Sequence, residues 1–528
     1  MFPLLSLPDE LILHVIDQLH PTTIEPLAAC GNKKVKSLIQ ERLDQHRNRK
    51  ACYSTLVFGG YQVRDRLQER LGWQISSPFN IEDCACRFIS KYIQDNDLAH
   101  YPKTLCLDTS DFDDDECEYG LEFTLAQAVG SKLPSQIVSS IRLCAFPEEE
   151  EEEKNSDDTV NRSCCNWDLD TAILFAILPN LESVFLVESH DGDLLRGCFS
   201  RFVRHVAAAS RGTGATRYNF ERALPLLKEL TIEFDDISDD DGSVPYVVSQ
   251  ENIRTFAPFA MLPSMRTIQG RYVTGRNDSD EYHSSVFLWP FDTPMRSLSI
   301  TTISFINSAI NGPTFKSFIE GFTALREFTY HHEDSLGGGD LYQPQDIVEV
   351  LRTFAADTLV NLDLSARQSE LNLREKAGQH VISLHAFTAL KFVRVDDAIF
   401  VQPDWENFIE DISENQAMGT TEKNDGDKTS MDGLCSLLPI TCETLNLIHY
   451  RRGTWKLFRN LLGQKDSRLP NMKKITIEDT NWMNVRMVQW PDPLDPPLDD
   501  AMKEAFKDAG IDCVTVRSGV SYSYREGS

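Results

Sequence analysis

The sequence predicts an α/β chain: a small N-terminal helical module, then an irregular array of strand–helix units forming a curved parallel sheet. Three observations predict it. The first residues are capped and helically periodic, a short apolar phrase recurs through most of the remaining chain, and helical stretches separate its copies.

The N-terminal segment reads SLPDELILHVIDQLHP. Ser6 can cap a helix whose third position is Asp9, and Pro8 lies in the first turn, where its missing N–H costs nothing. Leu7, Leu11, Val15 and Leu19 recur on one side at helical spacing, with Ile12 and Ile16 beside them and Leu13 outside the stripe. His20-Pro21 ends the helix. A second short segment carries Ile24, Leu27, Ala28 and Cys30. A third carries Val35, Leu38, Ile39 and Leu43, with Lys33, Lys34 and Lys36 interleaved. Apolar residues circle much of the first helix, so more than one face needs covering, by the rest of the chain or by a partner.

The recurring phrase is an apolar residue, two variable positions, a second apolar residue, one variable position and a third apolar residue. It appears as VSSIRL from Val138, LESVFL from Leu181, LKELTI from Leu227, MRSLSI from Met295 and LREFTY from Leu325. LVNLDL from Leu359, LKFVRV from Leu390, CETLNL from Cys442 and MKKITI from Met472 continue it, with weaker copies at Pro102, Met265 and Ile511. Four copies are introduced by a Leu-Pro pair, at Leu178, Leu224, Leu262 and Leu469, which fits a helix stop before an extended segment. Residues 198–210, 314–322 and 346–356 read as intervening helices. A non-repetitive α/β domain whose parallel strands mimic the phrase is the alternative.

The 528 residues carry a net charge of -29, which argues against a nucleic-acid surface and favours a basic partner. No apolar run reaches the length of a membrane span, and the opening residues do not read as a secretory leader, so a cytoplasmic or nuclear location is expected. Thirteen cysteines are an odd number in a long chain, which is not a disulfide framework, and Cys84/Cys86 and Cys164/Cys165 lack zinc-knuckle spacing. Acidic or polar insertions at 147–158, 235–242 and 411–433 read as solvated excursions, the last as disordered. No phosphate-binding loop, nucleophile elbow or His-Glu-x-x-His helix is present; Gly337-Gly338-Gly339 lacks the lysine, and His331-His332-Glu333-Asp334 reads as a polar strand end. Neither bond chemistry, a cofactor nor a metal is expected.

Leu7-Pro8-Asp9-Glu10-Leu11, followed by Val15-Ile16, Leu19, Ile24, Leu27 and Cys30, resembles an F-box of fungal type across roughly residues 3–46. Two departures stand out: Val35 where the family often has Trp or Phe, and Pro26 inside the second segment. The array resembles a degenerate leucine-rich-repeat solenoid. The resemblance implies a substrate-recognition adaptor of a cullin–RING (SCF-type) ubiquitin ligase. It would bind the S-phase kinase-associated adaptor, and through it cullin and RING subunits, by Leu7, Pro8, Glu10, Leu11, Ile12, Val15, Ile16, Leu19 and Leu27. The solenoid's concave positions would then meet substrate: Phe185, Val187, Thr231, Glu233, Ser299, Thr301, Thr329, His331, Asp363, Ser365, Arg394, Asp396, Asn446, Ile448, Thr476 and Glu478. The expected divisions are a module at 1–46, a helical linker at 47–100, the array at 101–410, the insertion at 411–433, and repeats with a tail at 434–528. A non-ligase scaffold using the same adaptor, and an enzyme with a dispersed site on an α/β fold, are the alternatives.

Overall fold

The computed structural model describes residues 7–17, 19, 23–30, 32–58, 81–82, 85–108, 166–188, 198–210, 223–234, 252–275, 299–333, 344–367, 382–396, 399–400, 434–448, 455–479 and 500–517. The insertions at 147–158, 235–242 and 411–433, the phrase from Val138 and the Gly337–Gly339 run lie outside them. Among the described residues no helix is long and apolar enough to cross a membrane.

The chain divides into two compact units: Met1–Asp236 with Arg254–Gln269, and Ile237–Ile253 with Gly270–Ser528. The first unit opens with helices α1 (Asp9–Asp17), α2 (Ile24–Ala29) and α3 (Lys33–Tyr53). Strands β1 (Thr55–Phe58) and β2 (Ile81–Glu82) follow, then α4 (Ala85–Gln94), β3 (Thr104–Asp108) and α5 (Asn166–Ile177). Next come β4 (Ser183–Glu188), α6 (Cys198–Ser210), β5 (Glu229–Phe234) and α7 (Phe256–Ala260). Strand β6 (Thr267–Arg271) contains the division between units. The strand order is β2-β1-β3-β4-β5, with the start of β6 beside β5. The pairs from β2 through β5 are parallel.

The second unit holds β7 (Thr302–Ser308), α8 (Gly312–Ile319), β8 (Glu327–Glu333), α9 (Pro344–Ala355), β9 (Asn361–Arg367) and β10 (Phe392–Asp396). It continues through α10 (Leu434–Leu437), β11 (Thr444–Ile448), α11 (Trp455–Arg468), β12 (Lys474–Asp479), α12 (Asp500–Asp508) and β13 (Asp512–Arg517). Its strands lie in chain order, each parallel to the one before.

The apolar phrase explains this order. Its second and third apolar residues point into the helix-covered layer: Leu230 and Ile232, Phe328 and Tyr330, Leu362 and Leu364, Leu445 and Leu447 are all buried. Its first apolar residue closes the turn made by the Leu-Pro lead-in. The N–H groups of Leu181, Leu227, Met265 and Met472 donate to the carbonyls of Leu178, Leu224, Leu262 and Leu469, three residues earlier. The residue between turn and strand then accepts from two successive N–H groups of the next strand's entry. Ser54 serves Lys103 and Thr104, Lys103 serves Glu182 and Ser183, and Glu182 serves Lys228 and Glu229. In the second unit Thr301, Arg326, Val360, Lys391 and Glu443 do the same for their successors.

This shared entry corrects two sequence expectations. The copy from Met295 is out of step: β7 begins at Thr302, and Thr301 supplies the entry carbonyl. The true phrase is Ile300-Thr301-Thr302-Ile303-Ser304-Phe305, with Ile300, Ile303 and Phe305 fully buried. Both frames share Ile300, and hydrophobicity alone cannot choose between them. Within the expected helical linker, Tyr53-Ser54-Thr55-Leu56-Val57-Phe58 is a further copy, forming β1 directly after α3.

Aromatic rings fill the layer between helices and strands. In the first unit Phe175 and Phe199 meet edge-on at 4.7 Å, and Phe259 lies 5.8 Å from Phe199. In the second, Phe315 stands 5.3 Å from Phe328, and Phe318 5.1 Å from Phe322. Helix α8 starts cleanly because Asn311 accepts from the Thr314 N–H and a proline occupies its first turn.

Candidate interaction surfaces

Two surfaces carry the sequence-predicted residues: the N-terminal helices and the strand face turned away from the helices.

In the helical module, Ile12 and Ile16 of α1 pack with Val35 and Ile39 of α3, flanked by Leu7, Leu19, Leu27, Ala28 and Leu38. Asp9 bridges to Lys34 at 2.7 Å, and Asn32 caps α3 by accepting from the Lys34 and Val35 N–H groups. The second half of α3 is fastened to the turn that follows α4 and to α2. His46 is buried with Nδ1 3.2 Å from the Tyr101 hydroxyl, Arg49 meets Asp95 at 2.7 Å, and Lys50 bonds Glu25 of α2 at 2.9 Å. Burial pushes the His46 imidazole pKa below its usual value, with Glu25 opposing.

The predicted adaptor set therefore splits. Ile12 and Ile16 are core, and Leu7, Leu19 and Leu27 are half-buried against it. Leu11 and Val15 are 50% and 39% exposed, Pro8 and Glu10 are exposed, and Leu13 outside the stripe is 37% exposed. A helix of nine residues thus leaves three large apolar side chains uncovered while its own core is complete.

On the first unit's outward face, parallel pairing places Thr104, Ser183 and Glu229 on one rung and Cys106, Phe185 and Thr231 on the next. Thr267 and Gln269 of β6 join them around a depression of about 180 Å³ with Phe185 in its lining. The Thr231 hydroxyl donates to Gln269 Oε1 at 3.4 Å. Cys106 is fully buried, and burial pushes its thiol pKa well up. Of the predicted residues here, Thr231 borders the depression, while Phe185, Val187 and Glu233 are buried. Their burial removes Phe185 and Val187 as open apolar anchors.

In the second unit one rung aligns Ser304, Thr329, Asp363, Arg394, Asn446 and Thr476. Four predicted residues converge there and on the rung above. Arg394 Nη1 donates to both Asp363 oxygens at 3.1 and 3.2 Å, while Nε and Nη2 donate to Glu478 at 3.2 and 3.0 Å. His331 Nε2 approaches Asp363 at 3.3 Å. Burial works against the charge on Arg394, yet the hydrogen bonds and charges of Glu478 and Asp363 outweigh it and hold its pKa above the ordinary value. Asp396 is buried and accepts from the Ala366 N–H at 2.7 Å, and Ile448 and Thr476 are buried too. Ser365 and Asn446 are half-buried beside the network. Ser299 and Thr301 precede β7, so Ser304 and Ile306 take the positions expected of them.

No sequence feature marked Glu229 or Gln269. Both stand only at variable positions of the phrase, Gln269 in one of its weaker copies. No family model matches this chain, and no curated protein matches it.

Proposed function

We propose that this chain is a two-ended protein adaptor of the F-box type. Its helical module would hold the S-phase kinase-associated adaptor of a cullin–RING ligase, and its strand face, read as a leucine-rich-repeat-like solenoid, would hold the substrate. One observation carries the first half: Leu11, Leu13 and Val15 are exposed on a helix whose core is already closed by Ile12 and Ile16. Leu11 and Val15 lie one turn apart on the same side of an otherwise satisfied helix, and such an uncovered apolar pair is what a helix-binding partner covers. The parallel strands, in chain order from β3 onward, and their shared entry hydrogen bonds support the second half. The adaptor performs no bond chemistry and acts by raising the local concentration of substrate beside the charged enzyme.

Replacing Leu11 with Asp and Val15 with Asp should abolish capture of purified S-phase kinase-associated adaptor, at unchanged thermal unfolding. Leu226→Asp, at an exposed apolar residue elsewhere, is the control and should capture normally. Ile12 is left intact because truncating a fully buried isoleucine costs about 2–5 kcal/mol and would unfold the module rather than strip its surface. Undiminished capture by the double variant overturns the reading.

A further inference from the structure

The depression on the first unit's face is lined by small hydroxyl side chains, Thr104, Ser183, Thr231 and Thr267, with Gln269, Glu229 and the Phe185 ring. Its size follows from those side chains: four neighbouring strands each place a small Ser or Thr around it, beside the buried Phe185 ring. At about 180 Å³ it falls below the size of pockets for drug-sized molecules and suits a single side chain.

Its charge is one-sided. Glu229 is exposed, and its carboxylate has no hydrogen-bond or ion-pair partner among the described residues. The cations beside it are engaged elsewhere. Lys103 and Lys228 both close on Glu182, at 2.6 and 3.1 Å, and Arg266 donates to the carbonyls of Pro263 and Met265. At the equivalent position of LREFTY, Glu327 accepts from Thr302 at 3.4 Å and from Asn361 at 3.3 Å. The same residue in the same motif is satisfied in one place and left open in the other.

We propose that this depression is a recognition subsite for a lysine or arginine side chain presented by a protein partner. The aliphatic stem lies over the threonine methyls, and the cationic head meets the Glu229 carboxylate, with the hydroxyl oxygens and Gln269 Oε1 as further acceptors. The chain's net charge of -29 steers such a partner towards it. This rests on the reading of the strand face as the partner-binding end.

The test uses the full chain and two end-blocked pentapeptides, alanine throughout except for a central lysine or its uncharged isostere norleucine, titrated by NMR. The lysine peptide should bind tighter than the norleucine peptide. Glu229→Gln should weaken the lysine peptide about tenfold and erase the preference. Asp466→Asn, at an exposed acid in the second unit, should change neither. Equal binding of the two peptides, no effect of Glu229→Gln, or an equal loss in Asp466→Asn (which would mean diffuse charge attraction) each overturns the subsite. Adaptor capture is measured on the same preparation: capture without lysine preference sinks only the subsite, whereas failed capture sinks the ligase reading.

Discussion

The strand faces of the two units are written in the same phrase and furnished in opposite ways. In the first, small hydroxyls leave a depression and the Glu229 carboxylate has no partner among the described residues. In the second, Arg394 reaches from Asp363 on β9 to Glu478 on β12 and covers the intervening strands with paired charge. The difference teaches that the phrase specifies the backbone and the buried side only. What the outward side does depends on which side chains neighbouring strands place on the same rung.

The comparison breaks most severely at Arg394. Arg394→Ala leaves two half-buried carboxylates facing each other, and we expect a loss of about 2–4 kcal/mol, below the value for a fully buried pair because the groups retain some solvent. Urea unfolding and hydrogen exchange across β9–β12 check this, and β3–β5 should exchange as before. A loss under about 0.5 kcal/mol would show that the network is surface decoration.

A smaller effect sharpens the comparison at Glu327. Thr302→Val with Asn361→Leu removes both of its partners, which makes Glu327 resemble Glu229. The expected cost is about 1 kcal/mol, and the lysine peptide should gain a second weak site. An unchanged stoichiometry would show that an open acid alone does not make a subsite, and that the depression is needed too.

The smallest effect lies where the units agree. Glu182 sits between Lys103 and Lys228, as Glu443 sits between Lys391 and Lys473. The hydrogen bonds from Lys103 and Lys228 hold the Glu182 carboxyl below its usual pKa, and those from Lys473 and Lys391 do so for Glu443. A carboxyl whose folded pKa is lowered stabilises the fold above its unfolded pKa, near 4.5, and loses that contribution as pH falls through the folded value. Glu182→Gln should therefore cost under about 1 kcal/mol at neutral pH and nothing in strong acid. A cost that persists in acid would assign the residue a packing role instead.

The buried half of this architecture was legible in the sequence. The phrase marked β3–β6 and β8–β13, and the Leu-Pro pairs marked the turns, because burial and turn closure are decided by residues three to five apart. The β7 frame is ambiguous in the sequence because two overlapping frames share Ile300, and β1 is hard to see there because its apolar positions are Tyr53, Leu56 and Phe58, directly after a charged helix. In the module the periodicity showed that α1 had apolar residues to spare without showing which. Ile12 and Ile16 turned inward because Val35 and Ile39 face them. The outward face was opaque for a similar reason: Arg394 and Glu478 are 84 residues apart, and only strand order brings them together.

The central claim is a division of labour, with α1 holding a generic ligase subunit and the strand face holding specific partners. Quantitative affinity purification of the intact chain beside its Leu11→Asp/Val15→Asp and Glu229→Gln variants tests it most directly. The account predicts complementary losses: the first variant loses the S-phase kinase-associated adaptor and cullin but keeps other partners, and the second keeps both ligase subunits but loses a basic partner. Retention of the adaptor by the first variant, or loss of the same proteins from both, would contradict it.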